Sequence, residues 1–365
     1  MTRCEDRRRR YPASINWLLN EKEDVLPEPQ TQPDKPKRRA AWAAFSVAGI
    51  ALLLAACSAT PDPTSTAGTP TAAATSSPAA VPASTPTPGP QAENVLRGPY
   101  VALGDSYAAG LGVPEQTGAT AGCGQSTGSY PYLVARSLRL KLIDVSCSSA
   151  TIADMTAAQP TSDGTNPAQL SALSSGTALV TVGIGGNDIG IIGIVSKCTE
   201  LDLIPALIPG RGSATLTPCK DFYTSGGTDQ IQQRIEAVAG NLADALTQIR
   251  ERSPHARVYV VGYPDLLPTG GGGCGDALGI TEGDITFLNR EEVRLNGVLE
   301  QVARAAGDGY VDTFAPSEGH DACATPASRW LEPLLPSSPA APLHPNAVGE
   351  RGMADAVVQA VTSAR

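Results

Sequence analysis

Ser106 follows the apolar run Tyr100-Val101-Ala102-Leu103 and the turn-forming pair Gly104-Asp105, and small residues and Gly110 come after it. A strand that breaks at Gly-Asp-Ser and leads into a helix holds a serine hydroxyl at the strand's C-terminal edge. Such a hydroxyl is a weak nucleophile until a base takes its proton. The chain has three histidines. His255 lies between a helix end and a strand and reads as a turn residue, and His320 lies in the loop Glu318-Gly319-His320-Asp321-Ala322-Cys323. His344, in Leu343-His344-Pro345-Asn346, stands just ahead of the last helical stretch, where a loop-borne imidazole is well placed to reach a strand-end serine. Gly185-Gly186-Asn187-Asp188 closes a β-branched run at another strand end. A nucleophile with a base in reach of it is the start of acyl transfer. Asp105 and Asp188 flank these residues, and as short carboxylates in turns they are expected to hold backbone N–H groups. The glycine run 270–273 has neither a Lys nor a following helix signal, so it is no phosphate loop.

The elements that must position these residues alternate. Strands are expected at 100–103, 141–146, 178–184, 256–262 and 310–312. Helices are expected at 130–140, 228–252, 282–306 and 347–363. The 228–252 helix carries Ile231, Ile235, Val238, Leu242, Leu246 and Ile249 at spacings of three and four, and Pro254 ends it. The continuous β-branched run at 178–184 is the pattern of a strand buried on both faces. Strands alternating with helices predict an α/β fold, a three-layer α/β/α with a central parallel sheet of flavodoxin-like type. Such sheets place their sites beyond the C-terminal strand ends. Ser106, Ser148-Ser149 and Gly186-Asn187 all follow expected strands, so one sheet edge gathers them. Trp330, Leu331, Leu334 and Leu335 are expected to be core.

The 365 residues divide by composition. Residues 1–39 are polar and rich in Arg and Pro, either a start-site artefact or a cytoplasmic n-region. Residues 40–57 are an apolar segment closed by Leu54-Ala55-Ala56-Cys57, with Lys35, Lys37, Arg38 and Arg39 as its positive flank, and they read as an export signal. Its end resembles a bacterial lipoprotein box, in which Cys57 would carry lipid. An uncleaved anchor or a plain secreted form are the alternatives, the apolar stretch being short of the roughly 20 residues of a membrane span. Residues 58–94 are Ala, Thr, Pro, Ser and Gly and are expected to be a disordered linker. Residues 95–365 are long enough for one domain with its own core. Residues 58–365 hold 17 Lys/Arg against 29 Asp/Glu, an acidic balance that argues against nucleic acid as a partner. No metal or cofactor is expected: the chain lacks Cys-x-x-Cys and has few His. Cys123, Cys147, Cys198, Cys219, Cys274 and Cys323 fall in the domain, and an even number in an exported domain implies disulfides.

Gly104-Asp105-Ser106, Gly185-Gly186-Asn187-Asp188 and His344-Pro345-Asn346 resemble, in order and placement, the motif blocks of the SGNH (GDSL-type) hydrolases. More narrowly, residues 97–363 are similar to the secreted actinobacterial esterase/lipase branch with six cysteines. The resemblance implies Ser106 as nucleophile and His344 as general base. It implies an oxyanion hole of the Ser106 N–H, the Asn187 side chain and a loop N–H, here that of Ser149 in Cys147-Ser148-Ser149-Ala150-Thr151, where the family usually has Gly. Many members carry Asp three residues before the histidine. That position here is Ala341, and its backbone carbonyl is the expected partner of the imidazole, giving a Ser–His dyad. The implied disulfides are Cys123–Cys147, Cys198–Cys219 and Cys274–Cys323. The implied activity is extracellular hydrolysis of small ester or lipid substrates through an acyl-serine intermediate, by a monomer that meets the membrane only through its N-terminus. A carbohydrate O-acetylesterase shares the machinery, and a non-catalytic envelope protein binding glycan or lipid is the reading from another class.

Overall fold

The apolar runs become five parallel strands in one sheet. In the computed structural model, which describes residues 96–206, 216–272 and 274–363, they are β1 (Tyr100–Gly104), β2 (Leu142–Asp144), β5 (Leu179–Gly183), β6 (Arg257–Val261) and β7 (Gly309–Val311). Their order is β2-β1-β5-β6-β7. A separate two-stranded hairpin, β3 (Gln159–Thr161) with β4 (Gly164–Asn166), lies outside that sheet. Alternate residues of each strand face opposite layers. Val101, Leu103, Val180, Val182, Val258 and Val260 pack on one side with α6 (Gln230–Arg252) and α8 (Glu282–Ala305). Tyr100, Ala102, Leu179, Tyr259 and Val261 pack on the other with α2 (Tyr130–Leu138) and α9 (Ala347–Ser363). Both faces are covered, which is why these strands read as continuous apolar runs.

The long helices start where their caps dictate. Asp229 caps α6 by accepting the Ile231 and Gln232 N–H groups at 3.0 and 2.9 Å, and Thr281 caps α8 through the Asp284 N–H. The expected 130–140 helix stops two residues early because Arg139 turns left-handed at φ 53°. The expected strand 141–146 is shorter, since the Asp144 carboxylate takes the Ser146 N–H and hydroxyl and bends the chain away. The helix expected after Gly104-Asp105-Ser106 is the short α1 (Ser106–Ala109), whereas three other short helices were not foreseen: α3 (Gly186–Ile189), α5 (Pro218–Tyr223) and α7 (Gly275–Leu278). Also unforeseen was α4 (Ile191–Ala206), whose IIGIVSKCTELDLIPA is apolar around much of its circumference and so shows no amphipathic stripe. Three disulfides join Cys123–Cys147, Cys198–Cys219 and Cys274–Cys323. Leu335 corrects the expectation of core: it is 85% exposed, because it stands at the tip of the loop ahead of His344, whereas Leu331 is buried and Leu334 packs on the core. The expected segments 1–39, 40–57 and 58–94, with Cys57, lie outside the described residues.

Candidate active site

β1 and β5 are adjacent, and Gly104 pairs with Gly183 at their C-terminal ends. The order of the strands reverses between these two, so a crevice opens beyond them. Asp105-Ser106 therefore leaves one strand beside Gly185-Gly186-Asn187 leaving the next. Asp105 caps α1: its Oδ1 accepts the Tyr107 N–H at 2.9 Å. Ser106 is the first residue of that helix, a position whose N–H has no intrahelical acceptor. Among the described residues it has no hydrogen-bond partner at all. Its hydroxyl meets His344 Nε2 at 2.7 Å.

His344 comes from a loop pinned at several points. Its backbone pairs with Glu332, through the Glu332 N–H to His344 O and the Leu343 N–H to Glu332 O, both at 3.0 Å. The Glu332 carboxylate gathers the Ser337 and Ser338 N–H groups, the Ser338 hydroxyl and the Asn346 amide, and those bonds with the nearby Arg329 hold it below the usual Glu range. Asn346 in turn caps α9 through the Val348 and Gly349 N–H groups. The Tyr107 hydroxyl donates to Leu343 O at 2.5 Å, and its ring packs 5.0 Å from the imidazole. Burial drives the imidazole to about pKa 4, opposed by its bond to the Pro342 carbonyl, so it is neutral at pH 7.

That bond corrects one expectation. Nδ1 lies 2.6 Å from Pro342 O, not from Ala341 O. The Ala341 carbonyl is taken instead by the His344 N–H at 3.2 Å, in a tight turn closed by Leu343 at φ 60°. The Ala341 oxygen is thus engaged by the His344 backbone, and it is the Pro342 oxygen that meets the ring.

The loops carrying the expected donors Ser149 and Asn187 leave β2 and β5, the strands on either side of β1. Ser149 has φ 62°, the left-handed conformation a glycine adopts freely, and its N–H has no hydrogen-bond partner among the described residues. The disulfide anchors this loop: the Cys147 N–H meets Gly104 O and the Ser148 N–H meets Cys123 O, each at 3.0 Å. Asn187 Nδ2 donates one hydrogen to Ala150 O at 2.9 Å, which orients the amide and leaves its second N–H. Asp188 accepts the Ile152 N–H at 3.1 Å and so ties α3 to the Ser149 loop. His320 stays apart, bonded to Ser328 O at 2.6 Å and stacked on Trp330, and His255 is an exposed turn residue.

Several residues that support this arrangement carry no motif. Gln169 pairs both amide groups with the backbone of Gly104, at 2.8 and 2.9 Å, and fixes the end of β1. Tyr263, just past β6, donates its hydroxyl to Asp105 Oδ2 and accepts the Gly186 N–H at 2.8 Å. A buried tyrosine immediately beyond an apolar strand was the available signal for it.

Residues 102–351 match the model of the GDSL-like lipase/acylhydrolase family. The chain is 41% identical over 257 residues to Lipase 2 of Streptomyces coelicolor, an alignment spanning 70% of this chain and 83% of the relative. It is 31% identical to an esterase of Streptomyces scabiei over 66% of this chain and 76% of that one. Among solved structures, phospholipase A1 from Streptomyces albidoflavus superposes with a TM-score of 0.58 at 27% identity, covering 74% of this chain and all of that one. An extracellular lipase from Streptomyces rimosus gives the same score and identity over 73% of this chain.

Proposed function

This chain belongs to the GDSL-like lipase/acylhydrolase family and is a carboxylic ester hydrolase, and we propose that it works as an exported serine esterase or lipase through a Ser106–His344 dyad. The observation that supports the dyad is the 2.7 Å contact between Ser106 Oγ and a buried, neutral imidazole. In this reading the Pro342 carbonyl accepts the Nδ1 proton and so leaves Nε2 free as the base. Ser106 Oγ gives its proton to Nε2 and attacks the ester carbonyl carbon. The oxyanion of the tetrahedral intermediate takes hydrogen bonds from the Ser106 N–H, the Ser149 N–H and the second N–H of Asn187. The imidazolium then protonates the departing alcohol, leaving an acyl-serine. Water, deprotonated by His344, attacks that ester, and the imidazolium returns the proton to Ser106 Oγ as the acid departs. A neutral carbonyl stabilises the imidazolium less than a carboxylate does, so the donors carry most of the transition-state stabilisation.

Export is supported by three disulfides and by the likeness to a lipase described as extracellular. Ester lipids and small esters are the substrates the relatives' names favour. A chain-length series of p-nitrophenyl esters, run beside acetylated sugars, tests the reading. Turnover of acetate to longer acyl esters that disappears in Ser106→Ala is the expected result. Turnover of acetylated sugars alone would move the assignment to an O-acetylesterase, and no turnover of any ester would overturn it.

A further inference from the structure

Tyr263 makes no hydrogen bond to Ser106 or His344 among the described residues; its hydroxyl bonds Asp105 and the Gly186 N–H. Its backbone is fixed from both sides by Asn296 of α8: the Tyr263 N–H meets Asn296 Oδ1 at 2.8 Å and Asn296 Nδ2 meets Tyr263 O at 2.9 Å. Its ring stands edge-on to that of Tyr107, with centroids 5.2 Å apart. Its hydroxyl completes a chain that runs from the Gly186 N–H to the phenol oxygen, then to Asp105 Oδ2, while Asp105 Oδ1 accepts the Tyr107 N–H. Gly186 is what permits the approach, since a Cβ there would lie 3.0 Å from the phenol oxygen.

Both ends of this chain adjoin an oxyanion donor. Asp105 precedes Ser106, and Gly186 precedes Asn187. The strands hold the two loops in register as far as Gly104 and Gly183, with the Asp105 N–H on Gly183 O at 2.9 Å. Beyond that point no backbone hydrogen bond joins residues 106–110 to 185–190 among the described residues. The phenol is the polar bridge across the gap. We infer that Tyr263 is a positioning residue that sets the separation between the Ser106 and Asn187 donors, and with it the width of the oxyanion hole. The role rests on the Ser106 reading proposed above. Asp105 suits it: burial pushes its carboxyl up to about 7 even though the Tyr263 hydroxyl holds it down, so without the phenol the carboxyl would be left buried and short of a donor.

The test is Tyr263→Phe, which keeps the ring and its contact with Tyr107 and removes the bridge. A donor displaced by a fraction of an ångström loses the transition state and leaves the ground state bound. kcat on p-nitrophenyl butyrate should therefore fall about 10- to 100-fold while KM stays within about twofold. Phosphonylation of Ser106 by a p-nitrophenyl phosphonate, which builds a tetrahedral centre in the same hole, should slow in parallel. A merely structural hydroxyl would lower the melting temperature and leave both rates of the folded protein at the parental value, and that result overturns the role. Asp105→Asn is the second variant: it keeps the acceptor for the Tyr107 N–H but turns an NH2 toward the phenol. It should lower kcat with KM held, and if Tyr263→Phe does not fold, a parental kcat in Asp105→Asn overturns the role. Ser106→Ala separates the two readings. If it abolishes turnover while Tyr263→Phe does not change it, only the positioning role falls. If Ser106→Ala still turns over, the hydrolase mechanism falls and takes the positioning role with it.

Discussion

At the scale of single residues, the imidazole carries the pH dependence. His344 is 4% exposed, and among the described residues no carboxylate bonds its ring, so burial favours its neutral form and lowers its pKa from 6.5 to about 4, with the Pro342 carbonyl acting in the opposite sense. Catalysis needs that neutral form. The acid limb of kcat/KM should therefore fall with unit slope below about pH 4, well under the range of an ordinary histidine, and a stopped assay across pH 3 to 8 reads it. The stability contribution has its own sign. Because the folded-state pKa is depressed, the unfolded chain binds more protons between about 4 and 6.5, so this group's contribution is intact above 6.5 and is lost as pH falls through that window. An acid limb near 6.5 in a protein still folded at that pH would mean an imidazole far more solvated, or better paired with an acid, than the one described.

At the scale of elements, the loop after β2 depends on a covalent clip. Cys123–Cys147 has its Cα atoms 4.2 Å apart and lies two residues before Ser149, whose φ of 62° no local glycine makes easy. Asn166 of β4 adds a second hold, with Nδ2 on Ala121 O at 2.8 Å. Replacing both cysteines by Ser should cost about 3 kcal/mol for a loop of this length in the chain-entropy model. It should also lower kcat in the fraction that stays folded, because the Ser149 N–H loses its fixed direction. Denaturant melts and kinetics on the same preparation check both. A drop in stability with kcat unchanged would remove Ser149 from the oxyanion hole.

Legibility at this scale followed the physics of each signal. Strand ends could be read because apolar β-branched runs stop abruptly at Gly, and parallel sheets put sites there. Ser106, Ser148-Ser149 and Gly186-Asn187 could thus be assigned to one edge, while His344 was legible as a loop histidine just ahead of the last helix. The orienting carbonyl was assigned to Ala341 by counting three residues back, and counting cannot see that the turn at Leu343 uses Ala341 O for the His344 N–H. Tyr263 was missed because it lies 158 residues from its partner Asp105 and acts through a contact no local pattern encodes. α4 was missed because a helix apolar around much of its circumference has no period to detect.

At the scale of the whole molecule, placement in the cell depends on residues outside the described part. Leu54-Ala55-Ala56-Cys57 follows a basic and apolar run, and residues 58–94 are long and Pro-punctuated enough to hold the hydrolase off a surface. We expect Cys57 to carry lipid. Fractionation of cells expressing the full gene should find the parent in membranes and the Cys57→Ser form unprocessed at that site or released. A Cys57→Ser protein as membrane-bound as the parent and of the same length would count against lipidation and leave an uncleaved anchor.

The acyl-serine intermediate is the claim on which the mechanism stands, and it can be caught on one residue. The protein is mixed with p-nitrophenyl butyrate, quenched in acid within the first turnovers, digested and read by mass spectrometry. The peptide holding Gly104-Asp105-Ser106 should gain one butyryl group, localised to Ser106 by fragmentation, and His344→Ala should fail to accumulate it. Steady hydrolysis with Ser106 unmodified at every quench time, or a butyryl group on another side chain that forms and decays at the turnover rate, would contradict it.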